Sequence, residues 1–376
     1  MQKQSEYIAQ LDGLRTIAIF LVIIFHWLPE GQGINIISNG PLGVTLFFVL
    51  SGFLITRILL NNRSSLPSQG FVAIYKIFMA RRILRIFPVY FVTLFAVWAV
   101  QFFSFFPKIP TLFYSNPLYY IFYLSNFLIE KMHAWWDILS PFWSLAVEEQ
   151  FYILWPVVML LTPKRYLKGV ILITISLGFI SRGLLYFLNL REDVLMPECL
   201  DAFGLGALWA YIQFYNDMPA KFVRQCKVLA IIGLIIFVSF CIYGGTPWLY
   251  ALFFRGSMSF LCLLFVVLAS YKRGLENIAG KILSSAVFKY IGKISYGLYV
   301  FHMLVPALVV PLLIKIISRF FHINLILTGH LWNAITFLVL LGVASLSWHM
   351  LELPFNKLKR FFRIKETTAQ SHYMNS

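Results

Sequence analysis

Apolar residues fill most of the chain in long runs, and short polar clusters, mostly basic, punctuate them. A helix that crosses a bilayer needs about 20 apolar residues. By that measure ten runs qualify, at roughly 11–29, 41–60, 83–106, 145–162, 168–188, 198–215, 228–243, 248–270, 294–314 and 327–349. The pattern predicts an all-α integral membrane protein, a bundle of about ten transmembrane helices, with both termini on one side. Two segments break the rhythm. Residues 68–82 set Phe71, Ile74, Tyr75 and Phe78 at helical spacing beside basic residues, which predicts an interfacial helix on the cytoplasmic side. Residues 112–130 are aromatic but interrupted by Pro117 and Asn126. Counting them as a span would invert every later loop, so they are expected on the outer side, re-entrant or interfacial.

Composition agrees with the pattern. Of the 376 residues, 60% are hydrophobic and 12% charged, and mean hydropathy is +0.79; soluble domains need more polar surface. Of the 31 lysines and arginines, 24 fall on one side when the connecting loops alternate. The positive-inside rule then puts both termini in the cytoplasm of a multi-pass protein. The net charge of +16 is thus a topology signal, with attraction to anionic headgroups and an anionic ligand, and nucleic acid is not expected as a partner. Arg15 within the first apolar helix, and the lack of a small-residue cleavage site after it, argue for a mature span rather than a signal peptide. Cys199, Cys226, Cys241 and Cys262 have neither CxxC nor metal spacing, so no disulfide framework and no metal site are expected. No internal repeat is evident. The expected organisation is one transmembrane domain over residues 1–365 and a short polar tail over 366–376.

Ionisable groups in spanning helices are costly and normally face a protein interior or a wet cavity. Arg15 and His26 lie eleven residues apart, close to three turns, so they share one face of the first helix about 16 Å apart. His26, toward the outer end, is a candidate general base that takes a proton from a hydroxyl and returns it. The alternative is a histidine satisfied within the bundle or sitting at headgroup level beside Trp27. Glu148 and Glu149 open the fourth span on the same outer side, with Tyr152 one turn beyond Glu148. A carboxylate beside His26 would orient the imidazole and stabilise its protonated form; otherwise both carboxylates stay at the interface near a helix N-terminus. Arg81, Arg82 and Arg85 cluster at the start of the third span, where guanidinium forks match phosphate oxygens, although basic residues are what any cytoplasmic helix end carries. Ser51, Arg182, Asp201 and His302 are weaker candidates, more simply satisfied within the bundle. Small residues at Gly52, Gly204, Gly206 and Ala210 mark close helix packing, and Arg182 is expected to pair with a glutamate. No Walker loop, GxGxxG, HExxH or GxSxG occurs, which leaves nucleotide-driven pumping, dinucleotide chemistry, zinc hydrolysis and a serine-hydrolase elbow without a motif.

Taken in order, LDGLRTIAIFLVIIFH, FFVLSGFLIT, RRILRIFP, FWSLAVEEQFY, DAFGLGALWA, ISYGLYVFH and LELPF resemble the acyltransferase-3 family, bacterial multi-span O-acyltransferases. The resemblance covers nearly the whole chain. It implies transfer of an acyl group, most often acetyl, from cytoplasmic acyl-CoA as co-substrate, with no bound cofactor. The acceptor would be a hydroxyl of a cell-surface polysaccharide or lipid-linked glycan, and the location the bacterial inner membrane. It also implies His26 as base, Glu148 as its partner, and Arg15, Arg81, Arg82 and Arg85 as binders of donor phosphates. Many members carry a fused extracytoplasmic SGNH domain, which is not expected here. Either this chain acylates its acceptor directly or a separate extracytoplasmic protein completes transfer. The competing reading is a proton-coupled transporter or flippase of a sugar or lipid intermediate, but the paired halves that transporters often show are not visible.

Overall fold

Every regular element among the described residues is a helix, as long apolar runs without strand-like alternation require. The computed structural model describes residues 7–29, 32–36, 39–103, 109–133, 135–190, 193–322 and 328–363. The expected polar tail at 366–376 lies outside the described residues, as do Lys3, Lys108, Arg191 and Lys365 of the charge pattern. The long helices are α1 (Ala9–Trp27), α2 (Asn39–Arg63), α3 (Leu66–Val100), α4 (Phe142–Leu161), α5 (Leu167–Phe187), α6 (Leu200–Tyr215), α7 (Pro219–Tyr243) and α8 (Pro247–Ser270). They are followed by the pair α9 (Ser295–Phe301) and α10 (Val305–Phe321), and by α11 (Gly329–Phe361).

Eight of these are long and apolar enough to cross a bilayer, and the α9–α10 pair, bent by 53°, makes a ninth. The outward face of α7 leaves Val228, Ile231, Ile232, Ile235 and Ile242 exposed, an apolar surface suited to lipid contact. This is a multi-pass membrane protein. The expected span at 198–215 is α6, which has only 16 residues because a 3₁₀ turn at Met196–Cys199 takes its first part. Its short length follows from its surroundings. From Asp201 to Ala210 every residue is buried, against α2, α5 and α8, so little of it needs to match the hydrocarbon thickness. A Cβ on Gly52 would lie 2.0 Å from the Phe203 carbonyl oxygen, and one on Gly206 2.1 Å from that of Val49. Backbones of α2 and α6 therefore touch, as small residues in membrane helices permit.

One expectation needs correction. The interfacial helix at 68–82 and the span from 83 are one element. The chain bends at Gly70 (φ 74°, ψ 163°), then runs as a single helix to Val100 through Pro88. Arg81, Arg82 and Arg85 thus sit inside a helix rather than at its start. No residue between 71 and 87 breaks the helix, so the change from amphipathic to apolar pattern marks a change of surroundings, not an end. Residues 112–130 form a 3₁₀ turn at Leu112–Tyr114 and short helices at Pro117–Ile121 and Ser125–Met132, none long enough to span. Buried Asp137 ties this layer together by accepting from Leu112 N at 2.9 Å, Tyr120 OH at 2.6 Å and Leu139 N at 2.8 Å.

Candidate active site

α1 borders two cavities, one near each end, called inner and outer after the orientation that the charge pattern predicts. The inner one, about 230 Å³, takes Arg15 from α1, Ser51 from α2, Arg82 and Arg85 from α3, Glu148, Glu149 and Tyr152 from α4, and Tyr296 and Tyr299 from α9. The i, i+3 spacing on α1 lets Asp12 Oδ1 accept from Arg15 Nη1 at 2.6 Å, while its other oxygen accepts from Tyr7 OH. Ser51 Oγ donates to Glu148 Oε1 at 2.7 Å and Tyr152 OH to Oε2 at 3.0 Å. The Arg82 guanidinium lies 5.3 Å from the Tyr152 ring centroid. Arg82 and Arg85 form no salt bridge among the described residues, although two carboxylates share their cavity. Glu149 is buried, and its Oε1 has no hydrogen-bond partner. A cavity with three guanidinium groups, two of them unpaired, suits an anion larger than a carboxylate.

The outer cavity, about 460 Å³, is neutral apart from one imidazole. His26 enters it beside Trp27, Trp136, Trp332 and Asn333, with Ile109, Pro110, Ile138, Met303, Pro306 and Ala307 closing the rest. His26 Nδ1 lies 2.9 Å from the Val22 carbonyl oxygen, one turn back. A carbonyl only accepts, so Nδ1 carries the hydrogen and the neutral ring keeps Nε2 bare. The His302 ring lies against it, centroids 4.9 Å apart. Three residues before His302, Tyr299 faces the inner cavity, and its hydroxyl is 2.5 Å from Ser144 Oγ and donates to the Pro141 carbonyl at 3.2 Å. One turn of α9 and the break after it thus form the partition between the two cavities.

Against expectation, His26 and Glu148 line different cavities, and no hydrogen bond joins them among the described residues. Glu148 is instead engaged by Ser51 and Tyr152. Arg81 is exposed and donates to the Phe362 carbonyl at 3.1 Å, away from the inner cavity that Arg82 and Arg85 line. Arg182 pairs with an aspartate rather than a glutamate. Its Nη1 and Nη2 reach Asp201 at 2.8 and 3.2 Å, with Nη1 also 2.8 Å from the Glu198 carbonyl oxygen. This pair is fully buried between α5 and α6 and lines neither cavity. Residues not singled out from the sequence include Asp12, Tyr296, Tyr299, Asp137, Trp136, Trp332 and Asn333. Asp12 had a legible signal, its spacing from Arg15. The tryptophans had none, because indoles are common at membrane interfaces anyway.

The chain matches the family described as an acyltransferase domain over residues 8–351, which includes every residue named in the two cavities. It belongs to that family. Among similar proteins, the peptidoglycan O-acetyltransferase OatA of Listeria monocytogenes is 28% identical over 390 residues, covering 94% of this chain and 56% of that protein. The putative peptidoglycan O-acetyltransferase YrhL of Bacillus subtilis is 28% identical, covering 98% of this chain and 59% of its own length. The putative O-acetyltransferase SACOL0978 of Staphylococcus aureus is 32% identical, covering 94% and 58%. The chain thus spans somewhat under 60% of the length of these relatives. No solved structure matches it.

Proposed function

We propose that the chain is a bacterial inner-membrane O-acyltransferase that moves an acetyl group from cytoplasmic acetyl-CoA to a hydroxyl of a surface glycan. The observation that carries this reading is the pair of cavities of opposite character stacked along α1. Arg82 and Arg85, with Arg15, bind the donor phosphates from the side where basic residues concentrate. Both termini lie on that cytoplasmic side, and residues 1–365 act as one transmembrane domain. The glycan enters the outer cavity, where indole faces pack against sugar C–H faces and Asn333 offers an amide. The names of the relatives point to a peptidoglycan-type acceptor.

His26 is the base. Its bare Nε2 takes the proton from the acceptor hydroxyl as that oxygen attacks the thioester carbonyl. The carbon–sulfur bond breaks, and the imidazolium returns the proton to the departing thiolate. The thioester end passes Tyr299 to reach His26, and enclosure by the helix bundle limits hydrolysis by water. Glu148, held by Ser51 and Tyr152, shapes the donor cavity. Glu149, Arg182 and Asp201 support the bundle around it.

The test is NMR of purified surface glycan from cells making wild type or His26→Ala at equal membrane levels. Loss of O-acetyl signals is expected. Unchanged signals would overturn the enzyme reading, and a failure of glycan export in their place would favour transport of a sugar intermediate.

A further inference from the structure

The carboxylate expected beside His26 lines the other cavity, and a second imidazole packs against the His26 ring from behind the cavity lining. His302 is fully buried. Its Nδ1 lies 2.6 Å from the Tyr299 carbonyl oxygen. As in His26, that nitrogen must therefore be the donor, and Nε2 carries the lone pair. Nε2 of His302 has no hydrogen-bond partner, while its ring lies on the ring of His26 at 4.9 Å between centroids and 63° between planes. The other polar side chains that line the cavity with His26, namely Trp27, Trp136, Trp332 and Asn333, do not titrate.

A buried acceptor left unpaired is unfavourable, so a fold that keeps one needs something to hold it. The holding device is visible. A continued α-helix would satisfy the His302 carbonyl with the N–H of residue 306, but Pro306 has none. The helix breaks there, between α9 and α10. Trp27 Nε1 donates to the orphaned carbonyl at 2.9 Å. Adjacent residues of α1 thus engage both faces of the break, Trp27 holding the backbone of His302 and His26 meeting its ring.

Resting on the acyl-transfer reading above, we infer that His302 is the positioning partner of His26, an acceptor whose bare nitrogen is satisfied only when His26 carries the proton from the acceptor hydroxyl. While both imidazoles are neutral, each Nε2 carries a lone pair and neither has a hydrogen to offer the other. Once Nε2 of His26 is protonated, it becomes a charged donor beside an acceptor already in place. The contact is made in the charged intermediate and not in the resting state, which is the condition for it to lower the barrier. His302 touches neither donor nor acceptor in this scheme.

The test titrates His26 by imidazole ¹⁵N NMR in the detergent-solubilised full chain, with His26→Ala used to assign its signal. Losing the acceptor removes a stabiliser of the protonated form, so the midpoint for His26 in His302→Phe is expected about one pH unit lower than in wild type. His302→Gln keeps an amide oxygen as acceptor and should shift it less. Glycan O-acetylation in cells should fall about tenfold in His302→Phe and less in His302→Gln. A merely structural role would reduce activity without moving the His26 midpoint. An identical midpoint in wild type and His302→Phe would overturn the inference. Should His302→Phe fail to fold, Trp27→Phe, which loses the bond holding the break, should shift the midpoint in the same direction, and no shift there overturns it equally. The two readings fail separately. If His26→Ala leaves acetylation intact, the enzyme reading falls; if it abolishes acetylation while the midpoint is unmoved, only the role of His302 falls.

Discussion

The two cavities along α1 differ in how they hold polar groups inside an apolar bundle. The inner one gathers charge from three helices, with three guanidinium groups and two carboxylates, and keeps Arg82 and Arg85 without a salt bridge among the described residues. The outer one offers indole faces, a single amide and one imidazole. A permanently charged wall suits a ligand that is always anionic. A neutral wall suits a step in which charge appears briefly on one ring. Arginines remain protonated in proteins and cannot shuttle protons, whereas a histidine can. On the proposed reading, the contrast divides the work, binding by fixed charge on one side and proton movement on the other.

The sharpest way to break that division is at the base. His26→Ala should lower acetyl transfer by about 10²–10⁴-fold while leaving the affinity for CoA, measured by calorimetry on purified protein, unchanged. If CoA binding falls together with transfer, the two cavities do not act separately. Next in size is a control belonging to neither cavity. Arg182→Ala leaves Asp201 as an uncompensated charge among buried atoms and should destabilise the protein by about 3–5 kcal/mol. Unfolding in detergent reads this out, and a normally stable variant would show that the pair is dispensable to the bundle.

On the inner side, Arg85→Ala should weaken acetyl-CoA binding by about 10–100-fold, the loss of charge-assisted bonds to phosphate. Arg85→Lys should restore only part of it, because a point charge replaces a fork. A change in which sugar hydroxyl is acylated, detected by NMR of the glycan, would place Arg85 on the wrong side of the comparison. Smallest is the outer wall. Trp332→Ala should raise the acceptor KM by roughly 3–10-fold, the loss of about 1 kcal/mol of aromatic packing, with the donor KM unaltered. A donor effect there would join the two cavities into one site.

Much of the scaffold could be read in advance, and specific residues explain where reading stopped. The shared face of Arg15 and His26 follows from helix geometry, and α1 does carry both, each to a different cavity. Gly52 and Gly206 were recognisable as packing positions because only a missing side chain lets membrane helices approach so closely. The pattern divides the third helix because a change from basic to apolar residues looks like an end, whereas only Gly70 bends the chain. The pairing of Arg182 with Asp201 was missed because any acidic residue on a neighbouring helix satisfies a pattern, and crossing angle chooses among them.

The residue beside the His26 ring is the one least legible in the sequence. The family resemblance implies Glu148 there, yet Ser51 and Tyr152 occupy both its oxygens and it lines the other cavity. His302 lies 276 positions from His26 along the chain, and its meaning comes from Pro306 breaking a helix at the point where Trp27 can mend it. Runs of apolar residues, their length and the basic bias between them were enough to determine a helical membrane bundle and the kinds of side chain capable of chemistry, because solvation by lipid acts on each segment separately. Which polar groups meet was decided only by the tertiary structure. Contact depends on the rotation and tilt of helices packed against one another, and those are properties of the assembled bundle rather than of any one segment.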